Sequence, residues 1–134
     1  MTHYFPVQIF YEDTDAGGIV YHANYLKYME RARTTFLANK GFSLTTLIEE
    51  LGVQFVVRSI FISYAKPVRL QQNIMVVTKV VKSTKTSLTF TQNIYFDPSD
   101  EQSMICSSEV VIVCTNAQLK PCAIPPSVLR EIKE

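Results

Sequence analysis

Apolar and branched residues alternate imperfectly with polar ones from Tyr4 to Glu12 (YFPVQIFYE), which predicts a first strand with Pro6 near an edge or start. The pattern lapses from Asp13 to Tyr21 (DTDAGGIVY), where two acids and the chain's one Gly-Gly pair predict a loop whose backbone adopts conformations other residues resist. Beyond it, Tyr25, Tyr28, Met29, Ala32, Phe36 and Leu37 recur at helical spacing, with Asn24 placed to cap the helix and Gly41 to stop it. Leu26 and Ala38 widen the apolar surface, so this helix needs a sheet around it, not one neighbour. A shorter helical stretch from Ser43 to Leu51 carries a capping-box pattern, Ser43 or Thr45 ahead of acidic residues. Only strand-like segments follow, from Val53 to Leu70, Asn73 to Ser83, Thr86 to Phe96 and Ser103 to Thr115. Their short connections predict antiparallel neighbours, and Pro125-Pro126-Ser127 opens a final short helix. The order predicts an α+β fold, a long central helix wrapped by an antiparallel sheet of about five strands, in a single domain over residues 1–134.

Composition narrows the partners. The 134 residues, 47% hydrophobic and 19% charged, suffice to bury a core without disulfides or metal, although an oligomer would bury more. Thirteen Lys and Arg against twelve Asp and Glu give a net charge of +1, which lacks the clustered basic footprint of a nucleic-acid binder. Cys106, Cys114 and Cys122 are odd in number and lack C-x-x-C spacing, which fits a reducing compartment. Neither a signal-peptide pattern at the start nor an apolar run of membrane-span length is present, so the expected location is cytoplasmic.

The densest cluster of chemistry-bearing residues, Tyr11 to Tyr25, lies mostly just ahead of the long helix. A helix N-terminus offers unpaired N–H groups and partial positive charge, fitted to an anion or to one that forms during reaction. A carboxylate there most often caps or turns the chain, and Asp13 fits that reading. For Asp15, Gly17-Gly18 permits a tight fold in which the carboxylate and the helix start face one reacting carbon, as acyl transfer requires. His22 reads either as a core or capping histidine or as a group that orients a water or a substrate carbonyl.

Other groups point elsewhere. Asp13, Asp15 and His22 lack a recognised metal-ligand spacing, and no Ser sits in a G-x-S-x-G elbow. Cys106 and Cys114 share a strand face and read as buried, whereas Cys122, beside proline, reads as exposed. Tyr25, Tyr28 and Phe36 read as core. Lys79, Lys82 and Lys85 surround a strand turn as a solvated edge, with contact to ligand phosphates as the alternative.

The run YEDTDAGGIVYHANYLKYMERAR, Tyr11 to Arg33, closely resembles the active-site signature of the 4-hydroxybenzoyl-CoA thioesterase branch of the hotdog-fold superfamily. His22, the FVVR of Phe55 to Arg58, and then Tyr64, Pro67, Arg69 and Leu70 make it most similar to the Tol-Pal system-associated acyl-CoA thioesterases, with a departure at Gln71-Gln72, where acids are common. The resemblance implies a hotdog fold with the helix from about Asn24 to Lys40 at its centre. It also implies subunits joined edge to edge as a homodimer or homotetramer, with active sites at the interface.

In residue terms it assigns the catalytic carboxylate, nucleophile or general base, to Asp15. The oxyanion-binding N–H falls to His22, whose side chain is a second catalytic participant. Tyr11, Gly17, Gly18 and Tyr21 shape the turn, and Val57, Arg58 and Ser59 approach the partner's site. Lys82 or Lys85 meets the coenzyme A phosphates. The implied reaction is hydrolysis of an acyl-CoA thioester, needing no metal or redox cofactor because coenzyme A is part of the substrate. The alternative is a non-catalytic hotdog module binding acyl-carrier protein or lipid-synthesis enzymes at an envelope-linked site, peripheral to the inner membrane. Hydratase chemistry on the same fold uses a different His and acid motif.

Overall fold

A computed structural model describes residues 2–132. The elements are β1 (Thr2–Gln8), α1 (Asn24–Asn39), β2 (Gln54–Tyr64), β3 (Asn73–Ser83), β4 (Ser87–Tyr95), β5 (Met104–Thr115) and α2 (Pro126–Ile132). All strand pairings are antiparallel and the sheet order is β1-β3-β4-β5-β2. One helix on a five-stranded antiparallel sheet matches the expected class.

The spacing read from the sequence is the spacing that is buried: Tyr25, Tyr28, Met29, Ala32, Phe36 and Leu37 of α1 are all in the core. The first four pack with Ile74, Val76, Ile94 and Ile105, the last two with Leu88, Phe90, Val110 and Ile112, so α1 bridges both halves of the sheet. Each large side chain so buried contributes about 1.5–3 kcal/mol. Ala32 is fully buried, and any larger residue there would overpack the contact by about 1–3 kcal/mol. The helix ends as expected at Gly41, whose φ of +94° lets the Gly41 and Phe42 N–H groups donate to the Ala38 and Leu37 carbonyls. A buried polar cluster crosses the layer. The Arg33 guanidinium donates to Gln92 Oε1 at 2.7 Å, and the Gln92 amide donates to the Met29 carbonyl and Thr78 Oγ1. Burial holds the Arg33 pKa below its ordinary value.

Several expectations are corrected. The first strand ends at Gln8 and residues 11–13 form a 3-10 turn, because the Asp13 carboxylate accepts from the Phe10 N–H and closes the chain on itself. Ala23, not Asn24, is the N-cap of α1, since the Asn24 side chain donates instead to the Asp13 carbonyl. The stretch after α1 is a π-helical turn, Thr46–Glu50, in which Ser43 Oγ caps the Thr46 N–H and the acids play no reciprocal part. Cys122 is half-buried, its sulfur 3.7 Å from that of Cys114, because the segment after β5 folds back along it.

The largest correction concerns β2 and β3. Despite their short connection they are not neighbours: β2 pairs with β5 at one edge and β3 lies beside β1 at the other. The strand stops at Tyr64 ahead of Pro67, and residues 65–72 run across the end of the sheet. On the way the Ala65 and Lys66 N–H groups donate to the Ile105 carbonyl, the buried Val68 accepts from the Val20 N–H, and Ile9 exchanges hydrogen bonds with Gln71 and Gln72. This crossing segment is what holds the Asp13 to Tyr21 loop against the body of the protein.

Candidate active site

The loop is built by short-range bonds. Asp13 is structural, as its position suggested: its carboxylate holds the Phe10 N–H at 2.8 Å, and its carbonyl accepts from the Tyr21 N–H and the Asn24 amide. A bridge between Thr14 and Val20 then sets Asp15 at the head of a turn, with the Asp15 N–H bonded to the Ile19 carbonyl and the Gly18 N–H to the Asp15 carbonyl. The two glycines serve different needs. Gly18 sits at φ +77°, where a side chain is strained, whereas a Cβ on Gly17 would come within 3.2 Å of Asp15 Oδ1. The Gly17 N–H donates to that same oxygen at 2.8 Å. Asp15 thus has one carboxylate oxygen oriented by the turn, while the residue itself is exposed.

Tyr21 and His22 follow at the entry to α1, both exposed, their rings 4.8 Å apart. The His22 carbonyl accepts from the Tyr64 hydroxyl at 3.1 Å, and the two rings meet edge-on. Among the described residues the His22 N–H has no hydrogen-bond partner. It stands at the positive end of a sixteen-residue helix whose own first turn carries no acid. Behind it opens a cavity of about 270 Å³ lined by residues that include Val20, His22, Tyr25, Tyr64, Lys66 and Pro67. Its walls are mainly apolar or aromatic, and burial pushes the Tyr25 phenol up to about 12 and raises that of Tyr64 as well. An unpaired N–H at a helix start, a nearby oriented carboxylate and an apolar cavity are the parts of a site that stabilises an oxyanion on an acyl group.

The structure brings together Asp15, Gly17, Gly18, Tyr21 and His22 on one loop, although Asp15 does not line the cavity. Tyr11 lies in the preceding turn, exposed, its carbonyl holding Thr14. Val57, Arg58 and Ser59 are elsewhere in the same chain: six residues of β2 separate Val57 from Tyr64, about 20 Å of extended strand. They flank a β-bulge, and the extra residue, Arg58, keeps Phe55 and Val57 on the same sheet face as Ile60, Ile62 and Tyr64. Val57 and Phe55 line a second cavity of about 130 Å³ with Arg33 and Leu37, so an apolar row runs along β2 from the loop to this point. Lys82 and Lys85 are exposed at the far end of β3, nine or more residues from the Asn73 end that borders the loop.

Four contributors to the site were not read from the sequence as site residues. Tyr25 was assigned to the core, and Tyr64, Lys66 and Pro67 to a strand or its break; Pro67 was the available signal, since it marks where the chain leaves β2 to cross beside the loop. Among the described residues no three His, Cys, Asp or Glu side chains come together as metal ligands.

Comparisons with known proteins agree on one relationship. The thioesterase-like superfamily profile matches residues 11–132. The acyl-CoA thioester hydrolase YbgC of Escherichia coli O6:H1 is 42% identical over 130 residues, covering 96% of this chain and 94% of its own. The acyl-CoA thioesterase YbgC of Haemophilus influenzae is 38% identical, covering 92% and 89%. Among solved structures, a probable thioesterase from Bartonella henselae superposes with a TM-score of 0.86 at 30% identity, covering 93% of this chain and all of that one.

Proposed function

The chain belongs to the thioesterase-like superfamily, and on that footing we propose that it is an acyl-CoA thioesterase, hydrolysing an acyl-CoA thioester to a free acid and coenzyme A. The observation that carries this reading is the unpaired His22 N–H ahead of α1, in a residue that lines an apolar cavity and follows Asp15 on the same loop. The thioester carbonyl oxygen, which gains negative charge as the carbon becomes tetrahedral, binds at that N–H. Asp15 attacks the carbon directly or removes a proton from an attacking water, and the coenzyme A thiolate leaves and is protonated. The His22 side chain, held beside Tyr21 and Tyr64, orients the water or the carbonyl. The acyl group occupies the cavity against Tyr25 and Tyr64. This hydrolysis needs no metal or redox cofactor.

The reading extends to assembly. β2 is an edge strand, and Val56, Val57, Ile60, Phe61 and Tyr64 are all exposed on it, Phe61 at 75%. A long apolar edge of this kind is an aggregation hazard unless a second copy covers it, so two subunits join through their β2 edges and the dimers pair further into a tetramer. Such a pairing carries Val57, Arg58 and Ser59 of one subunit to the other's loop, which one chain by itself does not achieve. Lys82 and Lys85 then serve the coenzyme A phosphates. His22, the FVVR run and Tyr64, Pro67, Arg69 and Leu70 support a reading of the chain as one of the Tol-Pal-associated subgroup, and with that reading goes a cytoplasmic location peripheral to the inner membrane.

The test is thiol release from a panel of acyl-CoA chain lengths, with Asp15→Asn and Arg58→Ala subunits assayed separately and as an equal mixture. Each variant is expected to be impaired, and a re-equilibrated mixture to recover about a quarter of wild-type turnover, since half the dimers then hold one intact site of two. Negligible turnover throughout, with acyl-carrier-protein binding that survives Asp15→Asn, would replace the enzyme with a non-catalytic binding module.

A further inference from the structure

Two thiols outside the acyl-transfer site are in contact. Cys114, near the end of β5, is fully buried, and Cys122 is half-buried between the exposed Pro121 and Ala123. Their sulfurs lie 3.7 Å apart. The contact is set by backbone: after β5 the chain reverses, the Asn116 N–H donates to the Lys120 carbonyl, Thr115 bridges Pro121, and the Cys122 N–H donates to the Cys114 carbonyl at 2.9 Å. These bonds hold the two residues opposite each other on adjacent extended segments. A disulfide has its sulfurs about 2.0 Å apart, which leaves a gap of about 1.7 Å to be closed.

We infer that Cys114 and Cys122 form a dithiol modification site that closes reversibly to a disulfide when the protein meets a low-molecular-weight disulfide. The two sulfurs have unequal parts. Burial, and then the neighbouring Cys122 sulfur, pushes the Cys114 thiol up to about 12, which makes it the poorer first nucleophile. Cys122 is the one within reach of solvent. Its thiolate attacks one sulfur of the external disulfide, forming a mixed disulfide and expelling one small thiolate. Cys114, losing its proton, then attacks the Cys122 sulfur, the Cys114–Cys122 bond forms, and the second small thiolate leaves and is protonated. Two protein thiols are oxidised and one small disulfide is reduced to two thiols. The bond would tie the returning segment to β5 just ahead of Ile124, Val128 and Ile132, which share their apolar cluster with Cys114. It therefore clasps the docking of α2 covalently.

The probe is oxidised glutathione, added to the reduced, folded wild-type protein and followed by intact mass, thiol titration in denaturant and non-reducing peptide mapping. The expected result is loss of two hydrogens, a fall from three titratable thiols to one, and joined Cys114 and Cys122 peptides, all reversed by a small dithiol. Cys114→Ala, which lacks the resolving sulfur, should stop at a glutathione adduct on Cys122, and Cys106→Ser should close as wild type does. Wild-type protein that stops at the same adduct, or that keeps all three thiols, overturns the inference; the wild-type measurement decides even where a variant fails to fold.

Discussion

Asp13 and Asp15 are two residues apart, and the structure gives them separable tasks. Replacing Asp13 with Ala removes the acceptor that holds the Phe10 N–H at 2.8 Å and leaves the turn before the loop uncapped. A capping carboxylate is worth about 1–2 kcal/mol. With an unfolding entropy of roughly 2.1 cal/mol/K per residue over 134 residues, each kcal/mol moves the midpoint by about 3.5 °C. Asp13→Ala is therefore expected to melt about 4–7 °C lower. Its turnover well below the midpoint should stay within about ten-fold of wild type, because the carbonyl that anchors Tyr21 and Asn24 remains. Asp15→Asn should do the reverse. The asparagine oxygen still accepts from Gly17, so the midpoint should move by no more than about 2 °C. The charge and the nucleophilic or basic oxygen are gone, and turnover should fall on the order of 100-fold or more, about 2.7 kcal/mol in the barrier. Thermal melts and thiol release on the same preparations give both quantities. Asp15→Asn that keeps more than a tenth of wild-type turnover, or that melts as low as Asp13→Ala, would refute the division of labour.

Gly17→Ala places a methyl 3.2 Å from Asp15 Oδ1 without demanding a left-handed backbone, so it should depress turnover while leaving the melting midpoint nearly unchanged; the same assays check it. Gln92→Leu leaves the buried Arg33 guanidinium without its hydrogen-bonded acceptor, which should cost about 3–5 kcal/mol and lower the midpoint by roughly 10–18 °C, read by calorimetry. High pH should destabilise the fold. Burial raises the Cys106 thiol to about 12 from 9.0 and the Tyr25 phenol to about 12 from 10.0, so between those limits the unfolded chain releases protons that the folded one keeps. Stability is then fully present below about pH 9 and declines toward pH 12; in urea melts Cys106→Ala should make that decline shallower by about 1.4 kcal/mol per pH unit without moving its onset, because the Cys114 thiol, likewise raised from 9.0 to about 12, still titrates over the same range.

How much of this was legible in the chain depends on the range over which the determining interactions act. The α1 stripe and its Gly41 stop are local periodicities, and they appear in the structure at the expected positions. The loop from Asp13 to Tyr21 also stands where the sequence put it, ahead of α1, because the Gly pair and the acids that shape it are close together in the chain. The sheet order was not. Short connections usually return a strand beside its predecessor, and residues 65–72 do so neither by length nor by composition; they cross because Ile105, Val20 and Ile9 offer backbone partners along the way. The bulge at Arg58 was equally hidden, since an extra residue shows only when a partner strand exists to count against. Asn24 carries the right residue type for a cap, yet a longer-range acceptor, the Asp13 carbonyl, competes successfully for its amide.

The crossing segment also explains why the loop can be both exposed and well placed. Asp15, Gly17, Gly18 and His22 make few contacts with the core, and a loop of this composition would ordinarily be mobile. Three fixed points remove that freedom: the Asp13 carbonyl holds Tyr21 and Asn24, the Val68 carbonyl holds Val20, and the Tyr64 hydroxyl holds His22. Val68 and Tyr64 belong to the end of β2 and the start of the crossing, so the same chain path that takes β3 to the opposite side of the sheet supplies two of the three. An ordinary hairpin between β2 and β3 would turn away before reaching Val20 and leave the loop tied only to α1. The non-local order of the sheet thus serves the loop, because it delivers a backbone edge to Val20 and a hydroxyl to His22.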